Sequence, residues 1–303
     1  MALDLRDVPK EKQTYEMCLQ SVRADWEQIQ FVSKTFQTKE LCLKAIEKDG
    51  RALKYVKDPT PEICLESVKR RGRSLQFVEK QTPEICFEAI RQDGSALKYV
   101  KEQTPDMCLA AIEQRGWNKR ILSYVKDQTP ELCLAAVRQN GHALKYVKDQ
   151  TPEICMAAVR HKADLFEGVP VLTYVKDQTP EICLEAVRYD ANALCVVKEQ
   201  TSEICLEAVR QKGHTLRFVK ERTPQICLAA VKQNGMALEY IPRSKQTLPI
   251  AIAALKQNPA CRKYLADKFC TPEVYEAAGY DYKPEDLAPL RDGKKRERTE
   301  LKH

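Results

Sequence analysis

The chain has 303 residues, of which 43% are hydrophobic and 31% are charged, and its formal net charge is +7. This composition allows a sizeable buried core, but no apolar run approaches the roughly 18 residues that a membrane-spanning helix needs. The N-terminus is charged where a signal peptide would carry its apolar segment. We therefore expect a soluble protein that is not exported by the general secretory route.

Residues 1–13 form a lead-in, after which one short repeat recurs along the chain. Ten cysteines follow one another at intervals of 22 residues, apart from three intervals of 24, 25 and 28 residues. Each has a threonine four residues earlier, and degenerate copies continue from Thr247 and Thr271. A fixed period of this length predicts a solenoid, in which each repeat covers the apolar faces of its neighbours. The ten cysteines are Cys18, Cys42, Cys64, Cys86, Cys108, Cys133, Cys155, Cys183, Cys205 and Cys227.

Each repeat begins with a helix-start signal. The threonine hydroxyl can cap the helix, proline at the first helical position loses no hydrogen bond, and glutamate suits the positive end of the helix dipole. In the repeat at 129–147, the apolar residues at helical spacing are Leu132, Cys133, Ala136 and Val137. This spacing predicts one helix of roughly eleven residues with a single apolar face.

The helix is predicted to end at a glycine. Gly141 stands where a left-handed C-terminal cap would need it, and the following "HALKYV" leaves room for only one or two helical turns, α or 3₁₀. We expect Leu144, Tyr146 and Val147 to form a short apolar cluster in these turns. The equivalent glycines are Gly50, Gly72, Gly94, Gly116, Gly213 and Gly235.

The repeated pattern T-P-E-I-C-L-x-A-V-x-x-x-G-x-x-L-x-Y-V resembles a bacterial repeat family of unknown function, over roughly Thr14 to Leu265. The resemblance implies an all-helical repeat protein and carries no active-site motif, and its architecture is similar to that of leucine-rich variant repeats. We predict an all-α fold, an α-solenoid of about 11–12 short repeats that forms one domain over residues 14–282, with capping repeats from Thr247. Residues 283–303 are predicted to be a basic, mobile tail.

The thirteen cysteines favour buried packing over disulfides or metal sites. Stacked helices lie roughly 8–10 Å apart, which is too far for a disulfide, and no zinc-type spacing is present. Unpaired thiols indicate a reducing compartment, so we expect a cytoplasmic location, either in the cell that makes the protein or in one that receives it. Cys195, Cys261 and Cys270 lie outside the register and are the candidate reactive thiols.

The sequence offers little for catalysis. It contains no G-x-S-x-G, G-x-G-x-x-G or Walker motif, and repeated glutamates such as Glu131 are explained by the helix start. We predict a protein that is not an enzyme and that needs no cofactor or metal. A cysteine-dependent enzyme is kept as a third alternative.

Recurring basic residues leave nucleic acid as an alternative partner. Such rows could follow phosphates along a groove, but acidic residues repeat beside them, and the segment from Arg291 to His303 holds six basic and three acidic residues. A ladder of Phe and Tyr from Phe31 to Tyr264 is interpreted as partly buried packing, with base stacking as the alternative. The candidate basic residues are Arg138, Lys148, Arg160, Lys176, Arg188, Lys198 and Arg210.

Two insertions interrupt the period and are the predicted partner contacts, because loops that leave a solenoid on one edge often carry recognition. Drift in a tolerant loop is the alternative. Our leading hypothesis is a non-catalytic scaffold that binds a protein or peptide along its extended surface, with no membrane contact and the oligomeric state left open. The candidate contacts are Trp117, Lys119 and Arg120 in "GWNKRIL", and Leu165, Phe166 and Val169 in "HKADLFEGVPVL".

Overall fold

A computed structural model describes residues 4–114, 120–161 and 169–280. Within these ranges every regular element is helical and no strand is present, so the predicted all-α repeat fold is confirmed. The α-helices are α1 (Tyr15–Ala24), α2 (Lys39–Lys48), α3 (Pro61–Arg70), α4 (Pro83–Gln92), α5 (Pro105–Glu113), α6 (Pro130–Gln139), α7 (Pro152–Val159), α8 (Pro180–Tyr189), α9 (Ser202–Gln211), α10 (Pro224–Gln233), α11 (Leu248–Gln257) and α12 (Pro272–Ala277).

Short 3₁₀ helices alternate with the α-helices, as the limited room after each glycine predicted. They are Leu5–Asp7, Lys10–Lys12, Trp26–Phe31, Lys34–Phe36, Gly50–Tyr55, Gly72–Phe77, Gly94–Tyr99, Ile121–Tyr124, Gly141–Tyr146, Val171–Tyr174, Ala191–Val196, Gly213–Phe218, Gly235–Tyr240, Arg243–Lys245, Pro259–Tyr264 and Asp267–Phe269. Most of those that follow an α-helix have six residues, so each repeat is one helix and two tight turns.

The chain falls into two compact units, Met1–Ala163 and Asp164–His303. In the first unit α1–α7 pack against one another in chain order, and the 3₁₀ helices that follow them form a second row. In the second unit α8–α12 pack in chain order in the same way, beside their own row of 3₁₀ helices. A single domain over residues 14–282 stays a prediction, and the predicted tail at 283–303 lies outside the described residues.

The core of each repeat lies between the two rows. In α6 the predicted apolar face is buried in full, at Leu132, Cys133, Ala136 and Val137. In the following 3₁₀ helix Leu144 is buried, and so is Val147 just beyond it, whereas Tyr146 is only half-buried. Because the same positions are buried from repeat to repeat, the hydrophobic effect holds each repeat to its neighbours in the same way.

The predicted threonine caps are present in all ten clear repeats. In each, the threonine side-chain oxygen accepts a hydrogen bond from the backbone N–H three residues later. In α6 this bond joins Thr129 Oγ1 and Leu132 N at 3.4 Å. Thr247 and Thr271 make no such bond, so the degenerate C-terminal repeats have lost their side-chain caps.

The predicted left-handed glycine caps are wrong. Among the described residues only Gly279 has a positive φ. The helix instead ends at an extended residue such as Asn140, whose side chain caps the next 3₁₀ helix by accepting from the His142 N–H at 2.9 Å. The next residue is glycine because there is no space for a side chain: a Cβ at Gly72 would lie 2.3 Å from the carbonyl oxygen of Ala89 in the next repeat. The equivalent Gly116 lies outside the described residues.

A glutamine directly before the capping threonine joins consecutive repeats, a role that was not predicted. The side-chain nitrogen of Gln103 donates to the carbonyl oxygens of Leu97, in its own repeat, and Tyr124, in the next. Its side-chain oxygen accepts from the Lys126 backbone N–H at 3.0 Å. The glutamines that donate to the next repeat in this way are Gln13, Gln37, Gln81, Gln103, Gln128, Gln178, Gln200 and Gln246.

Candidate functional site

Each α-helix has a short row of side chains that points away from the core. At 100° per residue, the second and ninth residues after the capping threonine point opposite the buried face, and the fifth and sixth flank the line between them. In α6 these four residues are Glu131, Leu134, Ala135 and Arg138. Glu131 and Arg138 are exposed, and Leu134 and Ala135 are half-buried.

In the first unit this line repeats as three rows of distinct chemistry. The acidic row, at the second position, lies at the N-terminal ends of the helices and comprises Glu16, Glu40, Glu62, Glu84, Asp106, Glu131 and Glu153. The apolar row, at the fifth position, comprises Leu43, Leu65, Phe87, Leu109, Leu134 and Met156. The basic row, at the ninth position, comprises Arg23, Lys69, Arg91, Arg138 and Arg160, with Glu47 and Glu113 as the two exceptions.

Helix ends stabilise the acidic row electrostatically. The pKa of Glu131 is lowered by hydrogen bonds from its own backbone N–H and from Thr129, and Glu181 in the second unit behaves in the same way with Thr179. A carboxylate at a helix N-terminus is favoured by the free N–H groups and by the helix dipole. The charged forms of Glu131 and Glu181 are therefore favoured, and both residues are exposed.

The residue at the sixth position after the threonine determines how apolar the outward face of each helix is. It is Glu66 in α3 and Glu88 in α4, but it is alanine in α5, α6 and α7. Where glutamate is present it engages the basic side chains: Glu88 pairs with Arg91 at 2.5 Å, which lowers the pKa of Glu88. Where alanine is present the charge is gone, and Arg138 makes no ion pair or hydrogen bond within the described residues.

An apolar patch therefore spans the outward faces of α4–α7. Its most exposed members are Phe87 (40% exposed) and Leu109 (36% exposed), two of only five large apolar side chains exposed in the described part of the chain. The patch comprises Phe87, Leu109, Ala110, Leu134, Ala135 and Met156. The signal was present in the sequence, as a large apolar residue five positions after each threonine and off the core face, but the apolar row was not predicted.

The structure does not bring the predicted nucleic-acid residues together. Arg138, Arg160, Arg188 and Arg210 lie at or next to the C-terminal ends of α6–α9, whereas Lys148, Lys176 and Lys198 lie before the N-termini of the next helices. Within each unit, helices of eight to ten residues place the two kinds of basic residue roughly 12–15 Å apart.

Several of the lysines also have a structural task. Lys148 Nζ donates to the Lys126 carbonyl oxygen at 2.9 Å, and Lys198 Nζ donates to the Lys176 carbonyl oxygen at 3.1 Å. Each bond spans one repeat, so the lysine ladder ties neighbouring loops together. Nucleic-acid binding by these residues stays a prediction.

The aromatic ladder is half-buried throughout, as the packing interpretation predicted. In several repeats the preceding cation lies over the ring: Arg217 Cζ is 4.4 Å from the centroid of Phe218, and Lys263 Nζ is 4.8 Å from that of Tyr264. Such contacts are cation–π interactions. They cover ring faces on which a base would have to stack.

The predicted contacts in the insertions are only partly described. Trp117, Lys119, Leu165 and Phe166 lie outside the described residues. Arg120 is exposed immediately before the 3₁₀ helix Ile121–Tyr124, and Val169 is 41% exposed just before Val171–Tyr174. The role of these residues stays a prediction.

The cysteines behave as small buried hydrophobic side chains. All ten in the ladder are buried and all thirteen are unpaired, with Cys195 exposed and Cys270 half-buried. Burial raises the pKa of the Cys42 thiol to about 11 and that of Cys261 to about 12. Burial disfavours the thiolate, which is the nucleophile, so the structure gives no support to Cys261 as a candidate reactive thiol. The described residues contain no group of three side chains that could hold a metal.

Helices and surface rows together define an all-α repeat protein. Four stretches of the chain, residues 14–58, 60–104, 201–245 and 223–270, match the family described as Domain of unknown function (DUF4116). They cover more than half of the chain, which therefore belongs to this family, and the resemblance to a repeat family of unknown function is confirmed. A bacterial origin stays a prediction.

Neither a curated protein nor a solved structure matches the chain. Within the described ranges no helix is both long and apolar enough to cross a lipid bilayer.

Proposed function

We propose that this protein is a non-catalytic scaffold that binds other proteins through the outward faces of its α-helices. The observation that carries the proposal is the apolar patch on α4–α7, where Phe87 and Leu109 are exposed beside two charged rows. An exposed apolar surface rimmed by charge is typical of protein interfaces, whose centres are depleted in charged residues. The two insertions, with Trp117 and Phe166, are proposed as additional contacts.

Protein is favoured over nucleic acid by where the charges lie. A phosphate backbone needs a continuous basic track, but here the row containing Arg138 is separated by a helix length from the one containing Lys148. The acidic row, including Glu131 and Glu153, occupies the same edge as the lysines. Both charge signs are present, which suits the mixed rim of a protein partner.

Absence of catalysis is part of the proposal. Burial raises the pKa of each ladder cysteine that shows a resolved shift, so these thiols are protonated and shielded at neutral pH. We also propose a cytoplasmic location, because thirteen unpaired thiols persist only in a reducing compartment.

The test is capture of partners from lysate on the immobilised full chain, at low and at high salt. We expect a small set of proteins that is retained at high salt and is reduced by Leu109→Glu, by Trp117→Ala or by deletion of 165–170. Leu206→Glu, at the same repeat position on α9, is the matched control. Identical protein sets on all variants would reject the site, and salt-sensitive recovery of DNA or RNA alone would favour the nucleic-acid alternative.

A further inference from the structure

We propose that the apolar patch on α4–α7, with its acidic and basic borders, docks a second copy of this chain. The inference rests on the proposed function in taking this helix face as a docking surface, and it adds the identity of one occupant. The patch comprises Phe87, Leu109, Ala110, Leu134, Ala135 and Met156, bordered by the acidic row at the helix N-termini and the basic row at the C-termini.

Charge complementarity selects the occupant. The partner surface must be apolar at its centre. It must be basic along the border that meets the acidic row, and acidic along the border that meets the basic row. This chain carries such a surface itself. A two-fold axis that runs along the stack of helices and over the apolar row places the acidic row of each copy opposite the basic row of the other. Glu131 of one copy then faces Arg138 of the other.

The same axis aligns two further features. Facing helices become antiparallel, so the N-terminus of each lies against the C-terminus of its counterpart and the helix dipoles attract. The spacing between successive helices also matches on the two sides, because both copies have the same repeat. An unrelated partner would match a fixed ladder of this kind only by coincidence.

One pair of charges opposes the arrangement. The ninth residue of α5 is Glu113 where α4, α6 and α7 have Arg91, Arg138 and Arg160. Glu113 would face Asp106 of the second copy, and like charges across an interface weaken it. Glu113→Arg should therefore strengthen the dimer, because it replaces a repulsive contact with an attractive one.

The size of the surface sets the strength of association. Four helices spaced roughly 9 Å apart and about 15 Å long present a projected area of roughly 500 Å² per copy. Standard specific interfaces bury about 800 Å² per partner. The contact is therefore at the small end of specific interfaces, and we expect a dimer that dissociates in the micromolar range.

The experiment is sedimentation equilibrium of the purified full chain over a concentration range from nanomolar to hundreds of micromolar. We expect a monomer–dimer equilibrium that Leu109→Glu weakens by about tenfold or more, since a charge would be buried in the patch. Leu206→Glu, at the equivalent position on α9, should leave the dissociation constant within about twofold. Circular dichroism melting of every variant verifies that the repeats remain folded.

Charge reversal tests the orientation. Glu131→Arg alone and Arg138→Glu alone should each weaken the dimer, whereas the double variant should recover it because each new charge meets its opposite on the other copy. Glu113→Arg should lower the dissociation constant. A dimer weakened further by the double variant, or unaffected by Glu113→Arg, would overturn the arrangement.

A chain that stays monomeric up to hundreds of micromolar would overturn the whole inference. So would equal weakening by Leu109→Glu and Leu206→Glu. If such a monomer still retained proteins from lysate in a manner sensitive to Leu109→Glu, the protein-docking function would stand and only the second-copy occupant would be rejected.

Discussion

The side-chain oxygen of Gln128 lies 2.9 Å from the backbone nitrogen of Lys148, in the next repeat, and accepts its hydrogen bond. The side-chain nitrogen of the same glutamine donates to the carbonyl oxygens of Leu122 and Tyr146, at 2.8 and 3.0 Å. One amide thus satisfies three backbone groups in two repeats. The bonds to Leu122 and Tyr146 are part-buried, the bond from Lys148 is exposed, and each is worth about 1 kcal/mol. Together they hold the distance and register between neighbouring repeats.

Gln128→Ala should therefore lower the free energy of unfolding by about 2–3 kcal/mol, at about 1 kcal/mol for each lost hydrogen bond. The measurement is urea unfolding followed by circular dichroism. Gln139→Ala is the control: Gln139 is exposed at the end of α6, and its removal should cost less than about 0.5 kcal/mol. Equal losses for the two variants would contradict the bridging role.

Gly72→Ala tests the corrected role of the repeat glycines. The new Cβ would lie 2.3 Å from the Ala89 carbonyl oxygen and 3.1 Å from the Asp93 nitrogen. Because these are backbone atoms of the next repeat, the stack must open, and we expect a loss of about 2–3 kcal/mol. Thermal and urea unfolding would measure it.

Gly279→Ala provides the contrast. Gly279 has φ +84°, and its Cβ would meet no atom of the described residues within 4 Å. Only backbone strain of about 1–2 kcal/mol is expected there. If Gly72→Ala were neutral, close approach between repeats would not be the reason for the glycine.

Alkaline pH should destabilise the protein through its buried thiols. Burial raises the pKa of Cys42 from 9.0 to about 11 and that of Cys261 from 9.0 to about 12. Above pH 9 the unfolded chain releases these protons while the folded chain keeps them, so the stabilisation is complete below pH 9 and is lost as the pH rises towards 11–12.

Melting temperatures measured between pH 8 and pH 10.5 would test this prediction. Cys42→Ala should show a shallower decline than the unmodified protein, which removes the contribution of tyrosine and lysine titration from the comparison. Cys195→Ala is the comparison: partial burial raises the pKa of this thiol too, but Cys195 is exposed whereas Cys42 is buried, so its removal should change the decline less. Parallel declines in all three proteins would contradict a role for buried Cys42.

Separation of the basic residues predicts weak binding to nucleic acid. We expect fluorescence anisotropy with DNA and RNA oligonucleotides to show binding at low salt that disappears near physiological salt, because few phosphates can be contacted at once. Micromolar or tighter binding at physiological salt, with a salt slope reduced by both Arg138→Ala and Lys148→Ala, would instead show that both rows contact phosphates and would revive that alternative.

Local features of the chain were predictable because they depend on neighbours in the sequence. The threonine of each repeat caps the helix that follows it, and Leu132, Cys133, Ala136 and Val137 share one face at helical spacing. The repeat period predicted how many helices would stack, and the short segment after each glycine predicted 3₁₀ turns.

Features that involve two repeats were missed or misread. Gly72 looked like a left-handed cap, because a glycine after a helix is most often one, but the distance to Ala89 gives the reason for it. Gln128 recurs before the threonine of most repeats, but the reason is visible only where Tyr146 and Lys148 of the next repeat lie beside it. The apolar row, with Leu109 at its centre, was overlooked because its side chains lie outside the buried face.

By itself, the sequence determined the period, the helix starts, the buried face and the unpaired state of the cysteines, since each follows from spacing and side-chain chemistry within one repeat. Only the tertiary structure decided why glycine is needed, what the glutamines and lysines bind, and that the two basic rows stand apart. Those outcomes depend on how closely one repeat approaches the next, a distance of a few ångströms that the linear order of residues does not contain.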